Sequence, residues 1–501
     1  MPRMCHDSDG SGATALFGPA MKALPFLLVT SFDTSLFSDN EHNCLFGNFY
    51  GNYRDGSQIK SVMVTDESCI ASWTAQTNSL SAAFAPAPQG FRQLVWVEEE
   101  AVDSSLKASI DGNEFERFLQ HLSSPLAIPF ENYLEASQDV MVSDHEDLSY
   151  ELFYRTPTAA LISMSPKIAF HLDTFLPRFW KATPLPNSPV EFIPVPPSAI
   201  EPIKSVLSNL AFNPTVAYLV NNISIPQMES DIRFLTGEDG QSGITSRHSF
   251  AQGSRVAAAW LKERFEETGA TCQLKSFLPG FAPNVICRYE AVADTTGTVI
   301  ISGHYDSRGS FGSIRAPGGD DDGSGTTAVL SIARAIARNG VKFHQNVELV
   351  AFAGEEQGLY GSKAYARELR NMDANVTLMV QADMLAYRKP GEPLQLGLPD
   401  KIGTPEVAQL VANLSSLYSP TLFTGFTSAC CSDHQSFFEQ GFPSTQVFER
   451  AGPIVDPMYH NSGDLSDREG YSFEQLKAIA KVQFATILHF AGFELEESQD
   501  I

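Results

Sequence analysis

In the second half of the chain, short continuous apolar runs alternate with runs whose apolar residues return every three or four positions. The continuous runs are 298–302, 346–353, 376–382 and 444–448, and they read as strands buried on both faces. Residues 249–267 read as a helix with Val256, Trp260, Leu261 and Phe265 on one side. Residues 324–339 read as another, with Ser324 as N-cap and Gly340 just past the end. Further helices are expected at 360–369 and 473–490. Strand–helix alternation with continuous apolar strands predicts an α/β fold: a mostly parallel central sheet with helices on both faces.

The first half lacks this alternation. It has scattered strand-like runs at 94–97 and 159–164, an expected helix at 111–122, and an acidic cluster, Glu98 to Glu100. Between the halves, prolines stand at 184, 186, 189, 194, 196, 197 and 202. Such a stretch is expected neither to continue a helix nor to lie in a central strand, so it reads as an extended linker. The expected organisation is an N-terminal region of α+β character at 1–182, a proline-rich linker at 183–202 and a catalytic domain at 203–495. The N-terminal region is either a prodomain or a permanent accessory domain.

A chain of 501 residues is too long for one core, which agrees with this division. Lys plus Arg number 34 against 59 Asp plus Glu, a formal charge of -25. That field repels phosphate backbones and anionic lipid, so neither nucleic acid nor a membrane surface is an expected partner. No apolar run reaches the ~20 residues of a membrane-spanning helix. A short apolar run at 23–29, after Met21 and Lys22, reads either as a secretory signal core or as a buried strand. The first reading sends the protein to a secreted or endomembrane and vacuolar destination, and the second leaves it soluble and intracellular. None of the seven cysteines has zinc-finger spacing. Cys272 and Cys287 flank two strand-like runs around a Pro-Gly turn, where a cross-strand disulfide fits. Cys430 and Cys431 are adjacent, and a bridge between them would strain the peptide.

The polar residues of the second half collect where the expected strands end. His304 and Asp306 follow the first strand, Glu355 and Glu356 the second, and Asp383 the third. His460 and Asp464 lie beyond the fourth, and Asp320, Asp321 and Asp322 precede the helix at 324–339. Open α/β sheets bind ligands beyond the carboxyl ends of their strands. A lone histidine there is usually structural, a Glu-Glu pair is usually a solvated turn, and an acidic run often just begins a helix. Together, two imidazoles and several carboxylates match the mixed nitrogen and oxygen ligands of zinc. A dication would also relieve the repulsion among three adjacent aspartates.

The segments GHYDS, PGGDDDGSG, AFAGEEQGLYGS, QADM, SDHQSFFEQGFPS and YHNSGD occur in that order. They resemble the bacterial leucyl aminopeptidase and aminopeptidase Y group of co-catalytic zinc peptidases, metallopeptidase family 28. The resemblance covers roughly residues 225–492, while the N-terminal region resembles no family. It implies a zinc-dependent exopeptidase acting on peptide substrates. By motif position, His304 and Asp383 would hold one zinc ion, Glu356 and His460 a second, and Asp321 would bridge them. Glu355 would be the general base, drawing a proton from a water activated by both ions, and Asp306 would orient the His304 ring. The resemblance further implies a cis peptide between Asp321 and Asp322. Relatives often form a disulfide near the Ser-Asp-His element from two spaced cysteines, whereas Cys430 and Cys431 are adjacent here.

Other readings stay open at this level. A carboxypeptidase or dipeptidase of the same clan would need basic groups for a substrate carboxylate, and Arg308, Arg315 and Arg450 are available. A glutaminyl cyclase would use one zinc and lack the second-metal histidine, against which His304 speaks. A catalytically inactive, peptidase-like binding protein would have lost ligands, and here all are present.

Overall fold

The computed structural model describes residues 25–37, 44–45, 47–77, 82–88, 92–108, 112–122, 149–310, 313–429 and 431–496. Eight strands come first: β1 (Pro25–Ser31), β2 (Phe49–Asp55), β3 (Gln58–Asp66), β4 (Ala83–Pro86), β5 (Gln93–Glu99), β6 (Glu151–Arg155), β7 (Ala159–Met164) and β8 (Trp180–Pro184). They form two four-stranded sheets, ordered β2-β3-β1-β4 and β6-β7-β5-β8. The apolar run at 23–29 thus falls largely in β1, paired on both sides, which is the strand alternative; residues 1–24 lie outside the described residues.

Ten strands follow. They are β9 (Thr271–Lys275), β10 (Asn284–Tyr289), β11 (Thr298–His304), β12 (Val341–Phe343), β13 (Asn346–Phe352), β14 (Val376–Ala382), β15 (Gln395–Pro399), β16 (Phe423–Thr427), β17 (Ser444–Val447) and β18 (Phe493–Leu495). The central sheet runs β17-β14-β11-β13-β10-β9. Its first four strands are parallel, as the continuous apolar runs predict, while β10 and β9 add an antiparallel edge. Cys272 and Cys287 face each other across that edge and form the expected disulfide.

Side chains alternate between the two faces with the strand period of two. Val299 and Ile301 of β11 join one apolar cluster, packed under the helices Gln252–Glu266, Gly323–Arg338 and Phe473–Ala491. Ile300 joins another, with Tyr365 and Phe437 from the helices Tyr360–Asn371 and His434–Phe438. Apolar clusters thus cover both faces, with a few buried polar side chains such as Glu348, Ser302 and Gln381 bonded among themselves or to neighbours.

Two details differ from the sequence reading. The helix at 324–339 begins one residue earlier, and its cap is Asp322, whose carboxylate accepts from the Gly325 N–H at 2.8 Å. The expected extended linker at 183–202 is not free chain. Thr183 and Pro184 end β8, Leu185 and Phe192 are buried, and Pro197–Ser208 is a helix. Pro197 at the first helical position costs no hydrogen bond. Pro202 sits on the exposed side, and the carbonyl it leaves unbonded is that of exposed Ser198, within reach of water. Ile203, fully buried, lies in mid-helix rather than at a domain edge.

Candidate metal centre

The acidic triplet divides its labour. Asp322 accepts from the backbone N–H groups of His304, Gly325 and Met384 at 2.8–3.1 Å. Asp320 accepts from Ala386 and Tyr387. These two carboxylates are spent on holding β11, the helix Gly323–Arg338 and the turn after β14 together. Asp321 between them, reached through a cis peptide to Asp322, is left to point into the site. The Asp464 carboxylate accepts from the N–H groups of Asp320 and Asp321 at 3.0 Å and so fixes this turn from below.

Asp321 faces both imidazoles. His304 Nε2 lies 3.4 Å from Asp321 Oδ1 and 3.8 Å from Asp383 Oδ2. His460 Nε2 lies 3.2 Å from Asp321 Oδ2 and 3.0 Å from Glu356 Oε2. Two donor groups result, His304–Asp321–Asp383 and Asp321–Glu356–His460, which share Asp321. Ligands about 2.0–2.1 Å from a tetrahedral ion stand about 3.3 Å from one another. The observed spacings bracket that value. His304 Nε2, Asp321 Oδ2 and both Glu356 oxygens are buried with no hydrogen-bond partner, a state that an ion would relieve. The five residues could therefore hold two ions. Glu355 belongs to neither group but lines the cavity beside them, with Asp321, Asp383 and His460.

The electrostatics agree. Burial, reinforced by the Asp321 charge, pushes the Glu356 carboxyl upward. Burial likewise lifts Asp383 to about 7. Asp321 goes the other way: burial opposes its charge, but the His304 and His460 imidazoles beside it hold it well below the usual carboxylate range. Carboxylates pushed toward neutrality in a dry site are stabilised as anions by a bound dication.

Asp306 supports this centre. Its Oδ2 accepts from Ser249 Oγ at 3.0 Å and from the Glu356 N–H at 3.3 Å, and its Oδ1 accepts from the Glu355 N–H at 3.3 Å. Its backbone carbonyl stands 3.2 Å from His304 Nδ1, and its carboxylate 3.6 Å. One residue thus orients the ring and pins the Glu355–Glu356 turn.

Several groups that bear on the site are invisible to motif reading. Arg247, fully buried, donates to the carbonyls of Leu235, Tyr305, Pro317 and Gly318 and holds the turn before the acidic triplet. Arg308, from the loop after β11, donates to the Trp180 carbonyl at 2.7 Å and lies 3.0 Å from His460 Nδ1. Lys181 and Glu100, from the N-terminal region, line the same cavity as Asp321 and Glu355. Only the acidic run at 98–100 hinted at Glu100, and nothing local marked Lys181. Cys431 is disulfide-bonded, while Cys430 lies outside the described residues.

Comparison with known proteins points the same way. Residues 284–487 match the model of peptidase family M28. Leucine aminopeptidase 1 of Phaeosphaeria nodorum is 28% identical over 316 residues, 58% of this chain and 76% of the relative. A probable leucine aminopeptidase of Arthroderma otae is 28% identical over 288 residues, 55% of this chain and 76% of the relative. Among solved structures, the LapA aminopeptidase of Legionella pneumophila superposes with a TM-score of 0.54 at 16% identity, over 81% of this chain and 100% of its own. LapB from the same organism gives 0.54 at 16% identity, over 80% and 99%. The share of this chain covered exceeds what residues 203–501 supply, so the likeness of fold takes in part of the N-terminal region.

Proposed function

We propose that this chain, a peptide hydrolase that belongs to peptidase family M28, is an aminopeptidase working with two zinc ions. One observation carries the reading: two donor groups share Asp321, and a further carboxylate, Glu355, lines the cavity beside both and belongs to neither. The mixed imidazole and carboxylate donors suit zinc. Bound there by His304, Asp321, Asp383, Glu356 and His460, the ions would polarise the scissile carbonyl and lower the pKa of the attacking water.

The chain's own residues supply the rest. Glu355 takes the proton of the attacking water and returns it to the leaving amine. Glu355 and Glu356 are neighbours in a turn, and Asp306, bound to both N–H groups, keeps one carboxylate on the donors and the other on the cavity. Glu100, which the donor groups do not use, lines that cavity and offers a carboxylate to a substrate's free ammonium. The arginines that a carboxypeptidase would need are otherwise placed. Arg308 is bound to the Trp180 carbonyl, Arg450 to Glu392 and the Pro453 carbonyl, and Arg315 is exposed.

Although the run at 23–29 pairs as a strand, the disulfides Cys44–Cys69 and Cys272–Cys287 support passage through an oxidising compartment and hence secretion or vacuolar delivery. Among the described residues no helix is long and apolar enough to cross a membrane.

The aminopeptidase reading is tested with a peptide pair that differs only in acetylation of the N-terminus. Cleavage of the free-amine peptide from its amino end, with the acetylated one resistant, is expected. Equal rates, or release from the carboxyl end, would replace it with the carboxypeptidase reading.

A further inference from the structure

Resting on Glu355 as the general base, we propose that Lys181 is a positioning residue of the active site, and that the N-terminal region supplying it is a permanent half of that site rather than a removable cover. Lys181 Nζ donates to Glu355 Oε1 at 2.7 Å. The Glu355 side chain is buried and that of Lys181 largely so, at 4% and 12% exposure. Of the residues that line the cavity, Lys181 alone carries an ammonium or guanidinium; Glu100, Asp321, Glu355 and Asp383 are carboxylates. Without its buried ion-pair partner, the flexible Glu355 side chain would be free to take other rotamers. A fixed ammonium on one oxygen holds the group at the cavity, where it meets substrate.

Lys181 is fixed from both sides. Its strand, β8, pairs with β5 from Trp180 to Pro184. Just before it, the Trp180 carbonyl accepts from Arg308, Phe179 stacks on Tyr459 with centroids 6.4 Å apart, and Arg178 donates to the Pro457 carbonyl. Upstream, Asp173 Oδ2 binds His248 Nε2 at 2.8 Å and Gln357 Nε2 at 3.0 Å, two residues beyond Glu355. On the far side of the cleft, Asn52 Nδ2 donates to Glu439 and its carbonyl accepts from Gln435. A detachable cover makes contacts its partner can lose to water. Here buried Arg308, Gln357 and Glu439 would each lose the partner that the N-terminal region supplies and keep only their contacts with His460, His248 and Gln435.

The full-length protein is tested as Lys181→Met and Lys181→Arg, each alone and combined with Glu355→Gln. Turnover and KM on a chromogenic aminoacyl substrate are read beside metal per chain and melting temperature. Lys181→Met is expected to lower kcat about 10–100-fold, the range for removing a group that orients a catalytic one, with KM and metal content little changed. Lys181→Arg should recover part of the loss. In the Glu355→Gln background Lys181→Met should add almost nothing, because the lysine acts through the glutamate. A rise in kcat for Lys181→Met would overturn the proposal and make the lysine a blocking group. Unchanged kcat, or an equal loss in both backgrounds, would also overturn it. Should Lys181→Met not fold, Lys181→Arg decides: a loss confined to the background with Glu355 supports the proposal, and no loss or an equal loss overturns it. Near-normal turnover of Glu355→Gln alone would instead sink the general-base reading, separately from Lys181.

Discussion

The C-terminal region covers both faces of one six-stranded sheet with apolar clusters and sends the imidazoles and carboxylates of its donor groups to the strand ends. The N-terminal region divides its apolar residues among smaller clusters around two four-stranded sheets. Among the described residues it supplies no member of either donor group. Its contribution arrives through the contact surface instead. Val102 and Phe179 share an apolar cluster with Met384, Phe448, Ile454 and Tyr459, and Lys181 and Glu100 reach the cavity beside it. One region builds a rigid floor for chemistry, and the other shapes what stands above it. A site can thus be assembled by one fold and completed by another whose own sequence carries no catalytic pattern.

The largest expected effect lies wholly within the C-terminal region. Glu355→Gln should keep both metals and lower kcat by ~10²–10⁴-fold, the range for losing a general acid–base group. Glu356→Gln should lose metal along with activity, and added zinc should restore part of it. The reverse pattern of metal loss would swap their roles. Next comes the shared apolar cluster. Phe179 is 2% exposed and stacks on Tyr459, whose ring in turn lies 3.8 Å from that of His460. Phe179→Ala should cost about 3–5 kcal/mol by denaturant unfolding. A cost under about 1 kcal/mol would mean the two regions are not packed as one body there.

The polar contact between the regions gives a smaller, pH-dependent effect. Asp173→Asn should cost about 1–3 kcal/mol, since it leaves buried partners poorly matched. Burial opposes the charge of Asp173, but the His248 charge and the hydrogen bonds from His248 and Gln357 hold its carboxyl at about 2. This contribution is complete above about pH 4 and is lost as pH falls through about 2. Burial lowers His248, yet the Asp173 charge outweighs it and leaves the imidazole above its ordinary value. That contribution is complete below about pH 6.5 and is lost as pH rises through the raised value. The stability gap between wild type and Asp173→Asn should therefore be widest between about pH 4 and 6.5. A gap that does not vary with pH would show that the pair is not ionic.

What the sequence disclosed follows the same divide. The strands β11, β13, β14 and β17 were legible because strands buried on both faces are continuous apolar runs, and the turn residues after them stood out by contrast. Asp321 could be singled out from its neighbours only through resemblance. The fold gives the reason, since Asp320 and Asp322 spend their oxygens on backbone N–H groups. The helix Pro405–Tyr418 passed unread although Pro405 marks its first turn. Pro202 misled in the other direction, because a proline rule that ignores exposure forbids a helix the chain makes. Lys181 had no signal at all. Its partner is 174 residues away, and only the docking of two folds brings them together. Groups placed by one element's own geometry are readable from that element, whereas groups placed by contact between regions are not.

Metal stoichiometry tests the central claim most directly. The purified full-length protein, saturated with zinc and freed of excess, should hold two ions per chain by elemental analysis and lose activity when a chelator removes them. No more than one ion at saturation, in active protein, would contradict a site built on two donor groups that share Asp321.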